Sequence, residues 1–362
     1  MKKIIKWVFI LIFLLTGFVS ASDVEYVEEM GLLECLEFAL ENHADLELAR
    51  FAISEAEFAL EKLEMDDPRK VAAKDLLAKK QDLAKAKETL VETGMNLALQ
   101  VETKYYQVLK TIATINNKKD SREWAEKQLA IAEVKYTNGL ISKKEHTAIA
   151  KRVMETEREY ADARFNLETV RMEMNLALGR DLAQFFQLKD QEFPYQSVEI
   201  NLTEATQYAV KHGKNVQKAR ENLTEAQENL KFKIASESAQ IEIIKFKQKL
   251  KAAEIKLKQI EAETIIELRN AYIGFRSAED MIRDAENTYV QASEELEVLS
   301  VKYEAGMVSL IELMEGQREL SAAEVKLIQT IYDYNLAKAA FNQSSGKGYS
   351  LYQQIVQKGS DD

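Results

Sequence analysis

Apolar side chains recur at alternating spacings of three and four residues through much of this chain. Leu268, Ala271, Phe275, Ala278, Ile282, Ala285, Tyr289, Ala292, Leu296, Leu299 and Tyr303 form one unbroken seam of this kind. A 3,4 repeat keeps one stripe of a helix facing a partner helix, the arrangement of a coiled coil. Small alanines alternate with large side chains along the seam, which favours close antiparallel approach. A second pair of stretches carries one frame twice: Ile149, Val153, Thr156, Tyr160, Ala163, Leu167, Val170 and Met174 match Gly316, Leu320, Ala323, Leu327, Thr330, Tyr334, Ala337 and Phe341. The region 69–137 is patchier, because Lys118 and Arg122 interrupt its seam. Further apolar residues flank the seams (Ile265, Ile266, Ile273, Val290, Val298, Leu310, Ile311). One stripe satisfies a two-helix hairpin; a second calls for neighbours on the other side.

Stop signals divide the pattern into helices over about 32–63, 69–137 and 142–178, then 202–234, 238–304 and 309–343. Each half therefore reads short, very long, short. The two long helices end in related sequences, VKYTNGLIS at 134–142 and VKYEAGMVS at 301–309, offset by 167 residues. Gly139 and Gly306 stand where a helix must stop and the chain reverse, a place for positive φ without a Cβ penalty. Ser142 and Ser309 stand where an N-cap oxygen would serve the next helix. Residues 31–62 align without gaps on 201–232 at an offset of 170, with Leu32/Leu202, Ala39/Ala209, Ala49/Ala219 and Arg50/Arg220 among the identities. The two offsets imply three extra residues in the first half, expected near Asp66-Asp67-Pro68. An internal duplication of helical units that cannot bury their stripes alone is expected to stack on itself.

Length then fixes the arrangement. At 1.5 Å per residue, each long helix spans about 100 Å, and the two short helices of each half together span about the same. The short helices can thus lie end to end along the long one, with a hairpin at each extremity. The fold expected is all-α, long antiparallel coiled-coil hairpins in two homologous halves: residues 22–178 and 202–343, joined by a connector at 179–201 that emerges at mid-height and followed by a polar tail at 344–362.

Composition narrows what such a molecule does. Residues 1–21 have the basic start, apolar run and Val19-Ser20-Ala21 ending of a signal peptide, so the working chain is expected outside the cytoplasmic membrane from Ser22. Nothing later in the sequence approaches a membrane span. Loss of Lys2, Lys3 and Lys6 with the leader leaves 46 basic residues against 60 acidic, taking the formal charge from −11 to −14. An acidic chain with no basic patch argues against nucleic acid. Cys35 is alone and falls on an apolar stripe, as a buried small residue does; no disulfide framework is possible. The three histidines are isolated, no metal-ligand spacing or cofactor fingerprint is present, and nothing supports catalysis.

The duplicated plan, the break after Leu178-Gly179-Arg180-Asp181-Leu182 and the paired KYxxGxxS tips resemble the TolC-like outer-membrane efflux proteins over nearly the whole mature chain. The resemblance implies a homotrimer whose twelve helical strands form a hollow periplasmic cylinder, docked on a periplasmic adaptor (membrane fusion) protein and serving an inner-membrane transporter. It assigns partner docking to Tyr136, Gly139, Leu140 and Ser142 on one tip and to Tyr303, Gly306, Met307 and Ser309 on the other. It assigns the tunnel's constriction to Glu312 and Glu315, with Glu145 and Tyr303 as a latch between hairpins. No cofactor or metal is implied. One departure stands out. In the family each half carries two β-strands between its first short helix and its long helix, but here 63–70 and 233–240 are too short and polar to hold a pair of spanning strands of 9–11 residues each. The rival reading is a coiled-coil spacer or tether of the cell envelope without a transport role.

Overall fold

A computed structural model describes residues 29–65, 73–190 and 195–346. Residues 1–21, expected to be a signal peptide, the expected turn at Asp66-Asp67-Pro68 and most of the polar tail lie outside the described residues. The first half contains α1 (Leu32–Asn42), α2 (Ala44–Glu64), α3 (Ala73–Thr137) and α4 (Lys143–Leu178); the second contains α5 (Leu202–His212), α6 (Lys214–Ala235), α7 (Gln240–Glu304) and α8 (Leu310–Ser345). The lengths repeat: 11 and 11 residues, 21 and 22, 65 and 65, 36 and 36. The 170-residue offset holds as far as the starts of α2 and α6 and becomes 167 at α3 and α7, so the extra residues fall in or just before the 65–72 connection. Helix α8 runs to Ser345, two residues beyond the expected end.

Two expected helices are each a pair. The chain leaves helical geometry at His43 (φ −73°, ψ 130°) and at Gly213 (φ −59°, ψ 130°), equivalent positions in the two halves. Each break exposes the last carbonyls of the helix before it, which no intrahelical donor can reach. Arg50 donates to the Leu40 carbonyl at 3.0 Å, and Arg220 donates to those of Val210 and Lys211 at 3.0 and 3.1 Å. The identity of Arg50 and Arg220 in the repeat has this structural cause. On the other side of the first break, His43 Nδ1 accepts from the Asp45 amide and starts α2.

Helices α2 and α4 both lie along α3, and α6 and α8 both lie along α7; α8 also packs against α3. The molecule is thus a row of helical columns in the order α2/α4, α3, α6/α8, α7. At the upper level Lys214 and Lys218 of α6 pair with Glu88 of α3 at 3.6 and 3.1 Å. Lower down, Asn117 of α3, almost fully buried, donates to Glu324 at 2.7 Å and accepts from the Ser321 hydroxyl at 2.7 Å. A buried amide satisfied only by one alignment of two helices fixes their register.

The core sits in three places. At mid-height of each half, equivalent side chains are buried: Cys35, Val101, Val108 and Met174 in the first, Ala205, Leu268, Phe275 and Phe341 in the second. The connector closes over both: its Phe186 is buried in the first, and in the second its Gln196 carbonyl accepts from the hydroxyl of Tyr334 of α8 at 2.8 Å. It also supplies the one exception to an all-α molecule among the described residues, a two-residue parallel pairing of β1 (Glu29–Met30) with β2 (Gln187–Leu188). Gly179 ends α4 at φ +74° against the first break, where a Cβ would stand 3.0 Å from His43 Cα. The third cluster, near the tips, joins Ala132, Ile149 and Val153 of one hairpin to Leu310, Leu313 and Met314 of the other. Leu310, expected on a free flank, is buried here. At Gly316 a Cβ would stand 2.5 Å from Leu299 Cδ1, so glycine lets α7 and α8 close.

Between α6 and α7 only Ser236–Ala239 intervene, and between α2 and α3 only residues 65–72. Neither connection has the length for a pair of membrane-spanning strands, as expected. No helix among the described residues is long and apolar enough to cross a membrane.

Candidate docking tips and closing contacts

Both lower tips are built by the same local chemistry. After α3 the amide of Leu140 donates to the Lys135 carbonyl at 2.8 Å, and after α7 the amide of Met307 donates to that of Lys302 at 2.8 Å. These six-to-one bonds require a left-handed residue in between. Gly139 and Gly306 supply it at φ +70° and +71°. Ser142 and Ser309 then accept from the amides of Glu145 and Glu312 at 3.1 and 3.3 Å, starting α4 and α8. The apices are bare: Leu140 is 71 % exposed, Met307 77 %, and nothing lies within 4 Å of where a Cβ on either glycine would stand.

The copies differ above the apex. Tyr136 stacks on His146 within its own hairpin, ring centroids 4.8 Å apart. Its equivalent Tyr303 reaches across to the other hairpin. Its hydroxyl accepts from Lys135 Nζ at 2.7 Å, and the ammonium lies 4.5 Å from the ring centroid. Within one chain, then, Tyr303 takes Lys135 as partner rather than Glu145, which lies half-buried at the start of α4.

The carboxylates of the expected constriction have local partners. Glu312 closes a capping box, accepting from the Ser309 amide at 2.7 Å and hydroxyl at 2.9 Å, and these donors hold its pKa below the usual carboxylate value. Glu315 accepts from Arg318 Nε at 2.9 Å and is also paired with Arg152 of α4. The two guanidiniums, Arg318 foremost, hold its pKa down too. The i,i+3 pairing of Glu315 and Arg318 is the ordinary behaviour of a solvated helix face; the reach to Arg152 is a tie between hairpins. Sequence reasoning passed over Lys135 and Arg152, although Lys135 lies inside the repeated VKY motif. The capping box was written in the spacing of Ser309 and Glu312.

A row of long helical columns with paired helical tips defines a class of fold, that of the outer-membrane efflux channels. The structural likenesses are specific. The CmeC outer membrane channel of Campylobacter jejuni superposes with a TM-score of 0.70 at 13 % identity, covering 91 % of this chain and 88 % of that one. The outer membrane protein VceC of Vibrio cholerae gives 0.67 at 11 % identity over 87 % and 96 % of the two chains. The open state of the MtrE outer membrane channel of Neisseria gonorrhoeae gives 0.64 at 10 % identity over 87 % and 88 %. No protein-family model and no curated protein sequence matches this chain.

Proposed function

We propose that the chain is a component of an export conduit in the cell envelope: a homotrimeric helical tunnel whose lower tips dock on a periplasmic adaptor protein and so receive cargo from an inner-membrane transporter. The observation that carries this reading is the state of the row's two outer edges. On α7, Ile265, Ile266, Ile273, Val290, Val298 and Val301 are exposed, and on the opposite edge so are Phe51, Phe58, Met154, Phe165 and Met172. Apolar stripes this long favour burial against another molecule. A row of four columns with two such edges closes by repetition, α7 of one copy against α2/α4 of the next, and a closed ring satisfies every edge.

In such a ring the bare apices around Leu140 and Met307 all point one way. They form the docking face, with Tyr136, Gly139, Ser142, Gly306 and Ser309 shaping it. Closing contacts on this reading are Lys135–Tyr303 and Arg152–Glu315, with Glu145 and Glu312 beside them at the helix starts. Catalysis has no part in it. The likeness to efflux channels supports the fold of the tunnel; the bare tips and the apolar edges support its docking and its closure. Native mass measurement of the exported protein, with electron images of the same sample, tests the reading. Three copies around a lumen are expected, whereas a monomer, or a rod without a lumen, would overturn it in favour of a spacer.

A further inference from the structure

We infer that the end of the molecule opposite the glycine tips is a docking site for an anionic membrane surface, formed by the α6–α7 hairpin. Its turn, Ser236–Ala239, is flanked by large apolar side chains that face solvent: Phe232 is 67 % exposed, Ile234 53 %, Ile241 78 % and Ile244 49 %. Glu237 takes φ +48° in this turn, a conformation that L side chains rarely adopt, so the hairpin is held tight rather than loosely looped.

Charge in this hairpin runs against that of the chain as a whole. Between residues 231 and 251 stand Lys231, Lys233, Lys245, Lys247, Lys249 and Lys251, against Glu237 and Glu242 alone, a local +4 in a chain of −11. The acidic sequence as a whole therefore conceals a basic patch. Lys233 pairs with Glu242 at 3.0 Å and Lys251 with Glu254, just outside this stretch, at 3.1 Å; Lys245, Lys247 and Lys249 face solvent, Lys249 beside the Phe246 ring. The helix dipole accounts for Lys233 in the last turn of α6, but not for Lys245 and Lys247, which follow the N-terminus of α7, an end that favours anions. At 1.5 Å per residue Lys245 and Lys247 lie roughly 8–11 Å from the turn, about one Debye length at physiological salt.

Exposed aliphatic and aromatic side chains at a tip, backed by a collar of lysines, are the two signals that peripheral membrane binding combines. The apolar groups enter the headgroup boundary to a depth of about 5–10 Å, and the ammonium groups stay among the anionic headgroups. Phe58 and Met65, exposed near the corresponding end of the first half, add apolar area at the same level. The site stands on the chain's own residues and holds whether or not three copies form a ring. In a ring it would seat one end of the tunnel on a lipid surface without a spanning strand.

The test is flotation of the exported protein, its mass confirming loss of residues 1–21, with vesicles of phosphatidylcholine alone or containing phosphatidylglycerol. Binding to the anionic vesicles should be at least about tenfold stronger and should weaken as salt is raised. Lys245→Glu with Lys247→Glu should reduce it about tenfold more, and Ile241→Ser should reduce it at either salt. Circular dichroism and native mass of each variant should match the wild type. Equal flotation with both vesicles, or none, would overturn the inference. So would a charge-reversed variant that loses its oligomer, because the lysines would then serve a neighbouring copy. Crosslinking from Ile241 in cells to a protein, with no vesicle binding, would place a protein there instead and also overturn it. Native mass read on the same sample keeps the two proposals apart: a trimer that ignores vesicles fails here alone, and a vesicle-bound monomer fails the tunnel alone.

Discussion

Gly139, Gly179 and Gly306 all hold left-handed backbone, but their surroundings differ. Around Gly306 a Cβ would meet open space, so alanine there pays only the conformational cost of about 1–2 kcal/mol. At Gly179 the same Cβ would also press on the His43 Cα and the Asn42 carbonyl, both backbone atoms. Gly179→Ala is therefore expected to lower the melting temperature more than Gly306→Ala, and equal shifts in thermal unfolding would show that the contact at His43 is not maintained. Glu315 gives a second expectation. Its folded pKa lies below its ordinary value of 4.5 because Arg318 and Arg152 favour the charged form. A depressed carboxylate contributes its stabilisation fully above the unfolded-state pKa and loses it as the pH falls through the lower folded-state value. Acidification below about pH 4.5 should thus loosen the tips first. Hydrogen exchange at the start of α8 would report this, and Glu315→Gln should shrink the difference between neutral and acid pH to the share that Glu312 contributes through its capping box.

Among the elements, both long helices and both returning helices were readable from their seams and stops; the α6–α7 break, expected between 234 and 238 without a glycine or proline to mark it, falls at 236–239. The breaks at His43 and Gly213 were not readable, because the apolar stripe continues through them and a single extended residue leaves periodicity almost undisturbed. Their signature was Arg50/Arg220, an identity whose meaning depends on carbonyls ten residues upstream. Arg220→Leu keeps the bulk of the stem but leaves the carbonyls of Val210 and Lys211 without their donor. We expect a loss of about 1–3 kcal/mol in chemical unfolding, with Arg220→Lys recovering part of it; no change would mean that water replaces the guanidinium at no cost. The buried Asn117–Ser321–Glu324 contact was equally hidden, since it pairs residues more than 200 positions apart.

For the whole molecule, the sequence already contained the plan of columns, since matched lengths leave few ways to fold two short helices against a long one. It did not contain the partners of the tip residues. Tyr303 and Glu315 were legible as members of a motif, but Lys135 and Arg152 become their neighbours only when two hairpins stand side by side. Assembly tests the outer edges directly. Val298 is half-exposed on the free edge of α7. Val298→Glu would bring a carboxylate into the expected subunit contact while leaving the α7–α8 seam intact. Oligomer should be lost by light scattering while helicity by circular dichroism stays unchanged; a variant that assembles normally would place the contact elsewhere.

The equal lengths of α3 and α7, 65 residues each, also constrain how such a chain can change over time. One residue added to either column lengthens it by about 1.5 Å and turns everything beyond it by about 100°, which carries the seam onto the wrong face. Loops can grow freely, as the longer of the two connections, 65–72 against 236–239, shows, but the columns can change only by whole heptads and only in step with the helices beside them. A lineage needing a taller or shorter span would therefore move in jumps of about 10 Å, made on both sides of a hairpin at once.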